Sequence, residues 1–89
     1  MFYLCNGYKI DKFQDGEALL QQHREQKVIV LNKTAYMILD LILKYELDEA
    51  KKRFVSKFLI KDINEGKVIS KDFDVIVNDF VQKNIIYSR

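Results

Sequence analysis

The fold of this 89-residue chain is decided by the stretch "KVIVLNKTAYMILDLIL", residues 27–43. Its first five residues form a β-branched run that is typical of a strand. Apolar residues then recur at helical spacing from Ala35 to Ile42. Asn32 lies between the two patterns, where its side-chain oxygen can accept a hydrogen bond from a free amide of the first helical turn. The stretch therefore predicts a strand that passes into a helix through one N-cap residue.

Two further strands are predicted upstream of this stretch. "YKIDKF" (8–13) alternates imperfectly between apolar and charged residues, and "ALLQQ" (18–22) follows it after the Asp-Gly turn signal in "QDGE" (14–17). The polar "HREQ" (23–26) then leads to the strand at 27–31. We expect a three-stranded antiparallel meander. The preceding "FYLC" either continues the first strand or turns back at "NG".

Helical patterns fill the rest of the chain. "ELDEAKKRFVSKFL" (46–59) predicts a second helix, the polar stretch at 61–67 breaks the pattern, and "SKDFDVIVNDFVQKN" (70–84) predicts a third helix capped by Ser70. The final "IIYSR" is expected to be a short extended segment. Strands followed by helices predict an α+β fold with the helices on one face of an antiparallel sheet, in one domain spanning 1–89.

Composition excludes few classes of partner, but it indicates the cellular compartment. Fifteen basic residues against thirteen acidic ones give a net charge of +2, which is too small to predict a polyanionic partner. The single cysteine, Cys5, cannot form an internal disulfide and favours a reducing compartment, so we expect a cytoplasmic protein. The opening "MFYLCNGYKI" has no basic leader followed by an apolar segment, and we expect no membrane association.

The residues that could carry catalysis are few and scattered. His23 is the only histidine and falls in a predicted turn, and Cys5 falls in an apolar strand, so both are interpreted as structural or solvated. Asp72, Asp74 and Asp79 suggest a metal site, but helical spacing directs Asp74 away from the other two. We expect no enzyme, no cofactor and no metal, and a binding module instead.

The strand at 27–31 is the predicted binding edge. "VIV" contains neither charge nor proline, the usual protections of an edge strand, and an extended peptide could pair with it through backbone hydrogen bonds. We assign Ile29 and Leu31 to the helix-packed face because Leu31 leads into the helix, with the opposite parity left open. The alternative is that the chain's own C-terminus or a second copy covers this edge, which leaves a homodimer open.

Two segments carry a resemblance to a known family. "VIVLNKTAYMILDLI" and "SKDFDVIVNDFVQKNII" resemble the PqqD-like family, also called RiPP precursor peptide recognition elements, over about residues 8–87. The pattern combines a strand ending in Leu-Asn, a small residue three positions later, an Asp before a Phe-rich stripe and a final apolar pair. The matching positions are Leu31-Asn32, Ala35, Asp72 or Asp79, Phe80 and Ile85-Ile86.

The resemblance implies a winged-helix-like fold and a non-catalytic role in RiPP biosynthesis. Members bind the leader segment of a precursor peptide as an added strand, in a groove walled by the third helix. They present the peptide to a modifying enzyme, such as a leader peptidase or radical SAM enzyme. Carried over by position, the leader-binding residues are Lys27, Val28, Ile29, Val30, Leu31, Asp72, Phe73, Ile76, Phe80 and Lys83.

Their angular positions around the third helix divide the expected contact residues into a central group and a marginal group. Phe73 and Phe80 lie near the centre of its apolar stripe, where core packing is the favoured interpretation. Asp72, Ile76 and Lys83 lie on one margin, where a groove contact does not sacrifice burial. Asp72 or Lys83 could pair with charges on a leader.

The alternative function is a winged-helix DNA-binding regulator. Such a protein would place its third helix in the major groove and neutralise phosphates. Residues 71–83 carry two lysines against three aspartates, which is the wrong sign, although "KKR" (51–53) is basic. We therefore expect no nucleic acid partner.

Overall fold

The structure is a computed structural model, and it describes residues 1–22, 24, 26–58 and 62–88. Four strands, three helices and a final strand follow one another along these residues. In chain order they are β1 (Phe2–Leu4), β2 (Tyr8–Lys12), β3 (Ala18–Gln22), β4 (Lys27–Leu31), α1 (Lys33–Lys44), α2 (Leu47–Val55), α3 (Ile63–Gln82) and β5 (Ile86–Ser88).

Strands β2, β3 and β4 form the expected antiparallel meander, with β4 at one edge. The turn between β2 and β3 places Gly16 at φ +94°, a conformation that favours glycine. The Phe13 amide donates to the Glu17 carbonyl oxygen at 2.8 Å, and Asp15 Oδ1 accepts from the Glu17 amide at 3.0 Å. These bonds close the hairpin and fix its register.

The passage from β4 into α1 takes a single residue, as predicted. Asn32 has extended backbone angles, and its Oδ1 accepts a hydrogen bond from the Ala35 amide at 2.8 Å. Its carbonyl oxygen accepts the first helical bond, from the Tyr36 amide at 2.9 Å. The side chain thereby satisfies one amide that the helix itself leaves unpaired, and the N-cap prediction is confirmed.

Replacing Asn32 should destabilise the protein through the loss of this cap. Asn32→Ala is expected to lower the free energy of unfolding by about 1 kcal/mol, whereas Asn32→Asp, which keeps a capping oxygen, should stay close to the parent. Urea denaturation followed by circular dichroism measures both variants. Equal stability of the Ala variant and the parent would contradict the role assigned to this side chain.

The two ends of the chain pair with each other. Strands β1 and β5 are antiparallel, with Phe2 opposite Ser88, and the Cys5 amide donates to the Ile85 carbonyl oxygen at 2.9 Å. Gly7, at φ +90°, breaks the N-terminal arm, so that β1 and β2 belong to different sheets. The C-terminal strand predicted from the sequence is therefore present, and within the described residues it pairs with β1 rather than covering β4.

Helix α3 is longer than the sequence analysis predicted. It begins at Ile63, because Asp62 Oδ1 accepts from the Glu65 amide at 3.0 Å and caps the first turn. Ser70 lies inside the helix, so its predicted capping role was wrong. The polar stretch at 61–67 was predicted to break the helical pattern, and this was also wrong, because the chain is helical from Ile63 onward. Helix α2 ends at Val55, earlier than predicted. The predicted turn residue His23 and the end of the predicted second helix, at residue 59, lie outside the described residues.

One hydrophobic core joins the sheet to the three helices. Helix α1 lies at its centre and contacts α2, α3, β1 and β4, which accounts for its apolar residues on more than one face. Phe54 of α2 packs against Phe73 of α3 with ring centroids 5.5 Å apart. The buried side chains are Ala18, Leu20, Leu31, Ile38, Leu39, Leu41, Ile42, Ala50, Phe54, Phe73, Val77, Phe80, Ile85 and Ile86.

Gly66 lies inside α3 with no requirement for positive φ, unlike Gly16. Gly66→Ala should therefore raise the free energy of unfolding by about 0.5–1 kcal/mol by favouring the helix. Gly16→Ala is the matched control and should lower it by more than about 1 kcal/mol, because an L residue is strained at that φ. Thermal and urea denaturation test the opposite signs, and a destabilised Gly66 variant would contradict this assignment.

Candidate functional site

The hydrogen-bond phase of the sheet shows which backbone groups of β4 face outward. Bonded and non-bonded pairs alternate along antiparallel strands, and the bond from Phe13 to Glu17 fixes the phase at the β2–β3 turn. Because the direction of the backbone groups alternates along β3 from Glu17 onward, those of Leu20 point toward β4, where Leu20 lies opposite Ile29. The amides and carbonyls of the flanking residues Val28 and Val30 therefore point away from β3, along the open edge.

The side chains of β4 alternate as the sequence analysis assigned them. Leu31 is buried and Ile29 packs against the core, whereas Val28 is 61% and Val30 is 65% exposed on the outer face of the sheet. The assignment of Ile29 and Leu31 to the helix-packed face is confirmed. Lys27, at the start of the strand, is exposed. The edge thus combines outward backbone groups with two uncovered valine side chains.

On α3, the apolar residues predicted to contact the leader are more buried than the polar ones. Phe73 is fully buried and Phe80 is 3% exposed, so both side chains belong to the core and offer almost no surface to an added peptide. Ile76 is half-buried against the core. Asp72 and Lys83 are exposed. Phe73 and Phe80 hold the helix in place, and the margin beside them is the accessible surface.

The two charged positions on this margin differ in their partners. Lys83 Nζ lies 3.0 Å from Asp79 Oδ2, so its charge is already balanced one turn away. Asp72 makes no ion pair with any described residue. Of the two predicted charge contacts, Asp72 is therefore the one that is free to meet a cation of a ligand.

The early start of α3 adds residues that the sequence analysis missed. At about 100° per residue, Ile69 lies one heptad before Ile76 and shares its margin, and it is half-buried against the core. Asp62 and Glu65 are spaced like the ends of a capping box. That spacing could have indicated the true helix start, and with it Ile69.

Truncating two neighbouring side chains of α3 should distinguish a core position from a position on the exposed margin by their effects on stability. Phe73→Ala is expected to lower the free energy of unfolding by about 3–5 kcal/mol, because it removes a buried ring that packs on Phe54. Asp72→Ala should change it by less than about 0.5 kcal/mol, since the side chain is exposed and unpaired. Denaturant unfolding provides the measurement, and similar costs for both would contradict the assignment.

No cluster of side chains that could hold a metal ion appears within the described ranges. Groups of three or more His, Cys, Asp or Glu side chains do not converge there. Asp74 instead pairs with Lys51 at 2.8 Å. The pKa of Lys44 is raised by its hydrogen bond to Asp40 one turn earlier, which is an ordinary exposed helix pair. Over the same part of the chain, no helix combines the length and apolar character needed to span a membrane.

The charges on α2 and α3 do not favour a DNA interface. Helix α3, as observed, carries two lysines against four acidic residues. In the basic "KKR" run of α2, Lys51 pairs with Asp74, and Arg53 pairs with Glu49 at 3.0 Å while stacking on Tyr45 at 4.0 Å. Phosphate binding depends on cations that are free to replace counterions, and Lys52 is the member of this run with no such partner among described residues.

Comparison with known proteins identifies the fold. No protein-family model matches the chain, and no curated protein is significantly similar to it in sequence. Two solved structures are similar over nearly the whole length. One is lasso peptide synthetase B1 complexed with the leader peptide, with a TM-score of 0.78, 16% identity and 98% coverage of both chains.

The second similar structure is TbiB1 in complex with the TbiA(beta) leader peptide. Its TM-score is 0.76 at 11% identity, and the alignment covers 97% of this chain and 98% of that one. The chain therefore has the α+β, winged-helix-like fold of these two leader-peptide complexes. This is the fold that the resemblance to RiPP recognition elements implied.

Proposed function

We propose that this chain is a non-catalytic recognition protein that binds the leader segment of a ribosomally synthesised precursor peptide by strand addition at β4. It presents the peptide to a modifying enzyme. The observation that carries this proposal is the open edge of β4, where Val28 and Val30 direct their backbone groups away from the sheet. Both structural neighbours are complexes with leader peptides, which supports the same ligand class here.

Strand addition suits this edge for energetic reasons. A strand's backbone hydrogen bonds confer affinity without sequence preference, and the side chains on either side confer specificity. Strand β4 continues into α1 through the capped Asn32, so its position is fixed before a ligand arrives. A preorganised edge reduces the conformational entropy that binding must overcome.

The margin of α3 supplies the proposed specificity. Ile69 and Ile76 offer partly exposed apolar surface, and Asp72 offers an unpaired carboxylate between them. A leader that places an apolar residue and a cation toward this margin would complement both features. Of the ten residues assigned from the resemblance, we propose direct contacts for the exposed and half-buried ones and a supporting role for the buried Leu31, Phe73 and Phe80.

Titration with the leader peptide encoded beside this chain tests the proposal. The isotope-labelled chain should bind saturably, with amide shifts concentrated over 27–31 and along the α3 margin from Ile69 to Lys83. Binding with shifts confined to other surfaces, or no binding to any neighbouring precursor, would refute the proposal. A fluorescence titration of the same peptide gives the dissociation constant for the variants.

Proline substitution at the outward positions is the sharper test. Val28→Pro or Val30→Pro removes an amide that faces the open edge while leaving the bonds to β3 in place, a position where proline is tolerated. Leader affinity should fall at least about tenfold, equivalent to about 1.4 kcal/mol. Lys12→Pro, on the opposite edge strand β2, is the matched control and should retain the parent affinity. Equal affinity of all three variants would exclude addition at β4.

A further inference from the structure

A second surface lies on the other side of α3, between its N-terminal half and the C-terminal end of α2. We define the α2–α3 groove by Val55, Ile63, Gly66 and Ser70, which line an open depression of about 640 Å³ together with the flanking Lys67, Lys71 and Asp74. Its walls are predominantly apolar, and Gly66 contributes no side chain to fill it. None of the positions assigned to leader binding contributes to this groove.

The groove exposes apolar surface, most of all at Ile63. Ile63 is 73% exposed, although it lies at the start of a helix whose other apolar residues mostly pack inward. Neighbouring Phe58 is 40% exposed and lines a depression that shares Val55 and Ser70 with the groove. Contiguous exposed apolar surface of this kind marks interaction sites more often than isolated exposed residues do.

Cations surround this apolar surface. Lys52, Lys67 and Lys71 line the groove and its extension, and none of them pairs with a carboxylate among the described residues. Lys51 also lies there, but Asp74 neutralises it at 2.8 Å, and this ion pair joins α2 to α3 at one end of the groove. Among the described residues, the rim therefore has three lysines without an ion-pair partner around an apolar floor.

We infer that the α2–α3 groove is the docking surface for the modifying enzyme, and that the enzyme inserts an apolar side chain flanked by carboxylates. The charge of the rim selects this chemistry, because unpaired lysines attract an acidic segment and repel a basic one. Apolar insertion buries the side chain of Ile63, which water now covers. The inference rests on the proposed function, since it assumes that the chain delivers a peptide to an enzyme.

Geometry allows both partners to bind at once. Ser70 in the groove and Asp72 on the leader-binding margin are two residues apart, which places them about 160° from each other around α3. Leader and enzyme would then contact opposite sides of the same helix. The chain could therefore hold a peptide on one side while an enzyme is bound on the other.

The test uses the full chain, the neighbouring leader peptide and the purified modifying enzyme encoded beside it. Lys67→Glu/Lys71→Glu and, separately, Ile63→Asp should weaken enzyme binding at least about tenfold, measured by isothermal titration calorimetry. The same variants should bind the leader within about twofold of the parent. Raising the salt concentration should also weaken enzyme binding, since the attraction is between exposed charges.

The double reversal Lys9→Glu/Lys12→Glu, at the two exposed positions of β2, is the matched control and should keep enzyme binding. Three results would overturn the inference: a parent chain that binds the leader but not the enzyme, groove variants that bind the enzyme as the parent does, or groove variants that lose the leader. Failure of the parent to bind the leader would instead refute the proposed function. The two failures are thus distinguishable.

Discussion

The single-residue passage from β4 into α1, capped by the hydrogen bond from the Ala35 amide to the Asn32 side chain, is the constraint that positions the edge strand. It ends β4 and begins α1 within one residue, so the direction of the edge strand is set by the helix at the centre of the core. Burial of Leu31 fixes the rotation of that strand and leaves the side chains of Val28 and Val30 outside. The orientation of the proposed binding edge is thus a consequence of how α1 enters the core.

Helix α3 presents three surfaces on different parts of its circumference. Its central stripe fills the core, one margin carries the exposed Asp72, and the opposite margin lines the α2–α3 groove. Because helical residues project in fixed directions, substitutions on one margin leave the other unchanged. A helix of 20 residues is long enough for these surfaces to be separated along its axis as well.

Much of the fold could be predicted from the sequence because its signals are local. The β-branched run before Asn32, the Asp15-Gly16 turn and the spacing of Phe73 and Phe80 each specify structure over a few residues. The start of α3 was missed because its first two turns are mostly exposed and contain the run Asn64-Glu65-Gly66-Lys67, which has a loop-like composition. The outward direction of the β4 amides could not be predicted, since it depends on the hydrogen-bond phase set at a distant turn.

The pairing of β1 with β5 has a consequence for how this fold can be joined to other proteins. Phe2 and Ser88 are direct partners, so chain segments attached at the two ends would leave from neighbouring points. A domain with adjacent ends can be inserted into a surface loop of a host protein without stretching it. The same geometry would leave the open edge of β4 unchanged, because the attachment points lie on the β1–β5 pair and not on the sheet formed by β2, β3 and β4.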